Sequence, residues 1–255
     1  MLALTVVGGF LIGSFLNVVI VRLPRRQSLW GPRSACPACG AAIAWHDNIP
    51  VLSFVMLRGR CRSCQAPISW RYPVVESATA ALFALAYARF GPGPDLVVAL
   101  VFLAAMIAVT AIDLEHQIIP DAITIPGILA GLLASVATGR LAGLESVLGV
   151  LVGGGIFWVI LQASLVFTGR EGMGGGDIKL GAMLGAFLGW KVVLLSIFLS
   201  VVLGGALALV LLALKVTGRK DPIPFGPFLA AGGVVGLLWG QGLVTWYVSG
   251  FGFGG

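Results

Sequence analysis

Gly172-Met173-Gly174-Gly175-Gly176-Asp177-Ile178-Lys179 opens an apolar run that reaches Trp190. A carboxylate in or beside lipid is expensive, roughly 2.5 kcal/mol or more at a helix centre, so its presence there calls for a reason. The glycines remove side chains from the approach to Asp177 and let another backbone come close. Farther along, Gly181, Gly185 and Gly189 follow Asp177 at four-residue spacing, which places all four on one helical face. Rows of small residues let membrane helices pack closely, so Asp177 is expected at the end of a helix–helix seam and not facing lipid. Gly232, Gly236 and Gly240 repeat the pattern, and packing alone accounts for them.

The rest of the chain agrees with a membrane reading. Of 255 residues, 58% are hydrophobic and 10% charged, and the mean hydropathy is +1.03. A soluble domain carries about 25% charged residues. A spanning helix needs about 20 residues. The sequence predicts an all-α, polytopic protein with about eight spans, near 2–21, 74–90, 96–112, 122–138, 145–169, 177–190, 192–214 and 227–248. Turn chemistry marks the breaks, as at Gly91-Pro92-Gly93-Pro94, Gly139-Arg140 and Gly189-Trp190-Lys191. The first span lacks a basic leading region and a small-residue cleavage site, so it reads as a mature helix. Three parts follow: a first helix over 1–21, a polar insert over 22–73, and a helical catalytic domain over 74–255.

Positive charge sets the orientation. Arg22, Arg25, Arg26, Arg33, Arg58, Arg60, Arg62 and Arg71 lie in the insert; Lys215, Arg219 and Lys220 lie in a later loop; Arg170 and Lys179 flank the glycine run. Loops rich in Lys and Arg stay in the cytoplasm. The N-terminus is then outside, with the insert, Asp113 and Asp177 all on the cytoplasmic side. The net charge of +6 is read as topological and not as a nucleic-acid surface.

All four cysteines fall in the insert, as Cys36-Pro37-Ala38-Cys39 and Cys61-Arg62-Ser63-Cys64. Two CxxC pairs at this separation match a tetrahedral four-thiolate zinc site. Four thiolates leave no open position for water, so the role is structural. The insert has too little apolar surface to fold alone, and a metal supplies on the order of 10 kcal/mol toward folding. A reducing cytoplasm disfavours the disulfide alternative. His46, between the pairs, reads as a surface or packed residue. Pro50 and Leu52-Ser53-Phe54 suggest a segment returning to the membrane surface.

A second acid, Asp113, ends the apolar run before Leu114-Glu115-His116-Gln117-Ile118-Ile119-Pro120-Asp121. Pro120 biases Ile119 away from helix, and Asp121 is placed to cap the next span. Asp177 at a helix N-terminus and Asp113 at a helix C-terminus meet opposite ends of the helix dipole. If they approach closely, they share one proton, with Asp177 as the base and Asp113 as the acid. Two functions suit such a pair: a hydrolase at the membrane surface, or a cation- or proton-coupled transporter. Transport sites lie near the midplane in repeated halves. Here both acids are at one surface and no repeat is visible, which favours the enzyme.

Taken together, these motifs resemble the type IV prepilin peptidases of the GxGD aspartic protease family. The resemblance rests on Gly13-Ser14-Phe15-Leu16-Asn17-Val18-Val19, Arg22-Leu23-Pro24, the two CxxC pairs, Asp113 to Asp121, Gly172 to Lys179, and Pro224-Phe225-Gly226-Pro227-Phe228. It implies that Asp113 and Asp177 are catalytic, and that Gly174 and Gly176 are the motif glycines, with Lys179 beside them. It further implies a bacterial inner-membrane endopeptidase that removes the basic leader of prepilins and pseudopilins. Many relatives with the cysteine insert also methylate the new N-terminal amine with S-adenosylmethionine. Glu76, Glu115 and Glu171 are candidates to attract the leader's charge, and Asn17 to contact substrate or a neighbouring helix.

Overall fold

The computed structural model describes residues 1–31, 33–169, 173–215 and 223–250; of Thr168 only the backbone is described. The chain folds into two compact units, residues 1–108 and 109–255, and the boundary falls within one helix.

In the first unit, α1 (Leu2–Arg22) packs against α3 (Arg71–Phe90). Gly9 and Gly13 make that contact possible. A Cβ on Gly13 would stand 2.7 Å from the Glu76 Cα, too close for any side chain. Between the two helices lie two small hairpins, a 3-10 turn at Trp45–Asn48 and the short helix α2 (Leu52–Met56). Each hairpin is marked by one antiparallel bridge, Ala35 with Ala42 and Arg60 with Pro67. The described residues contain no strand longer than these isolated bridges.

Helix α4 (Pro94–His116) leads into the second unit, which continues through α5 (Asp121–Thr138), α6 (Gly143–Thr168), α7 (Gly175–Ala213) and α8 (Gly226–Gly250). Helix α7 lies at the centre of this unit, against α5, α6 and α8. Its glycine face meets the glycine face of α6: a Cβ on Gly185 or Gly149 would run into the carbonyl of the other. Gly181 and Gly153 are matched in the same way. Ser146 Oγ reinforces the seam by donating to the Ala186 carbonyl at 2.6 Å. On the other side, Gly232 and Gly236 of α8 rest against Ser196. The packing role expected for both glycine rows is the one observed.

Among the described residues, six helices are long and apolar enough to cross a membrane: α1, α4, α5, α6, α7 and α8. Helix α7 has 39 residues, about 58 Å at 1.5 Å per residue and nearly twice the hydrocarbon thickness. It breaks at Gly189, whose φ of 75° and ψ of 168° are not helical. That break is the expected boundary between the sixth and seventh segments, and only a glycine takes this conformation without strain. Helix α3 covers the expected second segment but carries Arg71, Glu76 and Arg89, and it is not among the six.

Candidate active site and metal centre

Asp113 sits in the last turn of α4, one turn before the helix stops at His116. It is 5% exposed. The Gly226 N–H, at the start of α8, donates to its Oδ2 at 3.0 Å. Gly226 has to be glycine: a Cβ there would stand 2.6 Å from that same oxygen. The Pro224-Phe225-Gly226-Pro227 stretch brings the α8 terminus onto the carboxylate. A glycine between two prolines at a helix start is the one local signal for this role of Gly226 in the sequence.

Asp177 lies in the first turn of α7 and is partly exposed. Gly174, in extended conformation, is the N-cap, and its carbonyl accepts the Asp177 N–H at 3.1 Å. Gly176 is pressed against the loop after α4: a Cβ on it would be 2.8 Å from the Ile119 Cβ. Thus Gly176 lets α7 begin beside the segment that follows Asp113. Both carboxylates line one cavity of about 540 Å³, together with Gln117, Ile119, Met173 and Phe225. Gly172, Arg170 and Glu171 lie outside the described residues, as do Arg219 and Lys220.

Asp121 does not cap α5. The N-cap position is Pro120, without a side-chain cap bond. Instead Lys179 Nζ donates to both Asp121 oxygens, at 2.6 and 2.7 Å. A full positive charge offers a carboxylate more than a backbone N–H does, and the ion pair ties the start of α7 to the start of α5.

In the first unit the four cysteine sulfurs of Cys36, Cys39, Cys61 and Cys64 lie within 4.8 Å of one another, and all four are free of disulfides. The Sγ atoms of Cys36 and Cys64 are 3.8 Å apart. Four sulfurs bound tetrahedrally at ~2.3 Å from one zinc are separated by ~3.8 Å. The two hairpins are built alike. Cys36 N–H donates to Ala41 and Cys61 N–H to Ala66; Gly40 N–H returns to Cys36 and Gln65 N–H to Cys61. Gly40 and Gln65 are both left-handed, with φ of 71° and 59°. The backbone N–H groups of Cys64 and Ser63 bring the Cys61 thiol down to about 6. These cysteines are positioned to bind a metal ion. His46 stands apart with its side chain 51% exposed, near Asp47, which is paired with Arg62 at 2.6 Å.

Asn17 belongs to the α1–α3 seam: its Nδ2 donates to the Tyr72 carbonyl at 3.2 Å and to Gly13 at 3.3 Å. Glu76 is buried and accepts the Val51 N–H at 2.7 Å. Val51 has φ 61°, rare for a β-branched residue, so Glu76 holds a strained turn beside α2. Glu115 is exposed.

These features define an all-helical protein with six membrane-span candidates among the described residues, an insert whose four cysteines are positioned to bind a metal ion, and a cavity bearing two carboxylates. The family model described as "Type IV leader peptidase family" matches residues 100–209, and "Bacterial Peptidase A24 N-terminal domain" matches residues 7–90. A Prepilin leader peptidase/N-methyltransferase of Aeromonas hydrophila is 40% identical, over 94% of this chain and 91% of that protein. Proteins of the same name from Burkholderia pseudomallei and Pseudomonas aeruginosa are 41% and 38% identical, over 94% and 98% of this chain and 85% and 94% of those proteins. The chain belongs to the type IV leader peptidase family and is an enzyme of that class. No solved structure matches it.

Proposed function

We propose that the protein removes the basic leader of type IV prepilins or pseudopilins at the cytoplasmic face of the bacterial inner membrane, by an aspartic mechanism using Asp113 and Asp177. The observation that carries this reading is the shared cavity of the two carboxylates. Two carboxylates in one site share a proton and act as a unit. Asp177, at the N-terminus of α7, is the anion that takes a proton from the attacking water. Asp113 is the acid. Its Oδ2 accepts the Gly226 N–H, which leaves Oδ1 to carry the proton toward the scissile carbonyl oxygen. The glycines before Asp177 admit an extended substrate backbone, and Ile119 and Phe225 give the cavity an apolar wall. Clustered arginines at 22–71 support the cytoplasmic assignment of the insert.

The thiolates of Cys36, Cys39, Cys61 and Cys64 hold a structural zinc, which cross-links two hairpins that bury almost nothing between them. The second activity is methylation of the new N-terminal amine with S-adenosylmethionine, as the names of the relatives indicate. Methyl transfer needs a deprotonated amine, an aligned sulfonium and excluded water, and so need not share the aspartates. The reading assigns cleavage to residues 74–255 and ties methylation to the insert, residues 22–73. The test is mass spectrometry of a purified prepilin incubated with the protein, with and without S-adenosylmethionine. Leader loss in both samples, and one added methyl group only with the cofactor, is expected. An intact leader would overturn the peptidase assignment.

A further inference from the structure

The first unit holds a second cavity, of about 830 Å³, bordered by α2, the second cysteine hairpin and the first turns of α3. It is apolar along Phe54, Val55, Ile68 and Trp70, and basic at Arg58 and Arg60. Its wall is built from packed rings and a tight turn. The Phe54 ring lies 4.8 Å from the Trp70 ring and covers Gly59, where a Cβ would stand 3.1 Å from Phe54 Cζ. Arg58 and Gly59 are consecutive left-handed residues, with φ of 51° and 67°, and this sharp turn sets the two arginines on the same cavity. Arg62 is paired with Asp47 and Arg22 holds the carbonyls of Ser28 and Gly31. The guanidinium groups of Arg58 and Arg60 have no protein partner among the described residues. No carboxylate lines the cavity. It therefore suits an amphiphilic anion and disfavours a net cation such as S-adenosylmethionine.

The surroundings identify the source of that anion. Leu52, Val55 and Met56 of α2 fall at i, i+3 and i+4 and are 52%, 64% and 72% exposed, an apolar stripe turned outward. Trp70 is exposed at the rim, and tryptophan favours the headgroup level of a bilayer. The insert begins where the apolar helix α1 ends, at Arg22, and leads into α3 at Arg71, which packs back along α1.

We propose that this cavity binds one anionic phospholipid, its phosphate against Arg58 and Arg60 and the upper part of an acyl chain along Phe54, Val55 and Trp70. The site rests on the membrane reading and is independent of the aspartate assignment. The test is native mass spectrometry of the full chain titrated with phosphatidylglycerol, phosphatidylcholine or inorganic phosphate. The unaltered protein is expected to retain one phosphatidylglycerol in preference to phosphatidylcholine, undisturbed by millimolar phosphate. Arg58→Ala/Arg60→Ala should weaken that binding about tenfold or more, whereas Arg26→Ala, outside the cavity, should leave it unchanged. Equal retention of the two lipids, or displacement by phosphate alone, would overturn the site on the unaltered chain, whatever the variants do. So would equal weakening by Arg26→Ala, or undiminished binding by the double variant.

Discussion

The residues around the four cysteines and those around the two aspartates are held by different physics. Among the described residues of 23–70, only Cys36 and Ser53 are buried. In α7 every residue from Leu180 to Gly189 is buried. The insert depends on local hydrogen bonds, a bidentate Asp47–Arg62 pair and four convergent sulfurs. The aspartate region depends on backbones brought together across glycine seams. A site of the first kind tolerates surface changes and depends on its four convergent sulfurs. A site of the second kind fails when a single methylene is added at a seam.

The largest effect expected from this contrast is on chemistry alone. Asp113→Asn and Asp177→Asn should each lower leader removal at least about a thousandfold, since each removes half of a proton-sharing pair. Both should insert normally and keep their metal. Gel-shift assays of prepilin processing at matched expression check this, and near-normal cleavage by either variant would remove the aspartic mechanism. Supplied with pilin already cleaved, Asp177→Asn should still methylate it.

Next in size is a test of the seam. Gly185→Val puts a branched side chain where even a Cβ meets the Gly149 carbonyl, and overpacking of this kind costs about 3 kcal/mol or more. Thermal unfolding in detergent should drop and peptidase activity should be lost. Metal content should remain that of the unaltered protein, because the cysteines are held locally. Loss of metal in this variant would mean that the two regions are not independent in their folding.

Much of this contrast is legible in the sequence, and the reason is periodicity. Apolar runs of span length, CxxC pairs and glycines at four-residue spacing are local patterns, and each fixes one element. The Gly189 break is also local, marked by Gly189-Trp190-Lys191. What escapes is pairing across long separations. The bond from Gly226 to Asp113 joins residues 113 positions apart, and no local pattern announces it. Asp121 shows how a local rule misleads: an acid at a helix start reads as a cap, yet Lys179, 58 positions onward, takes both of its oxygens. Val51 and Glu76 are a third case, a strained turn fixed by a carboxylate from another helix.

A smaller effect is expected from the metal centre. Replacing all four cysteines with serine should abolish zinc binding and loosen the insert, since the metal supplies folding free energy there. Peptidase activity should persist in part, because the aspartates are held by α4, α7 and α8. Replacing residues 36–64 with a Gly/Ser linker should reduce methylation far more than cleavage. Methyl incorporation into a pilin with a free N-terminal phenylalanine measures this, and normal methylation by the linker variant would place the cofactor among the helices.

The smallest effect is expected at the Lys179–Asp121 pair. Lys179 lies two residues beyond Asp177, and its partner begins α5, so the pair helps to fix where α7 starts. Its side chains are 41% and 56% exposed, which limits the strength of the interaction. Exposed ion pairs contribute about 0.2–1 kcal/mol, and Gly176 against Ile119 sets the same approach by sterics. Asp121→Asn and Lys179→Met should therefore each lower leader removal by no more than about fivefold. The loss should shrink as salt is raised, because screening already weakens the pair in the unaltered enzyme. Exchanging the two, Asp121→Lys with Lys179→Asp, should recover part of the rate if charge pairing is what matters. Initial rates at low and high ionic strength distinguish these cases. A hundredfold loss in Lys179→Met, independent of salt, would show Lys179 acting on the substrate and not through the position of α7.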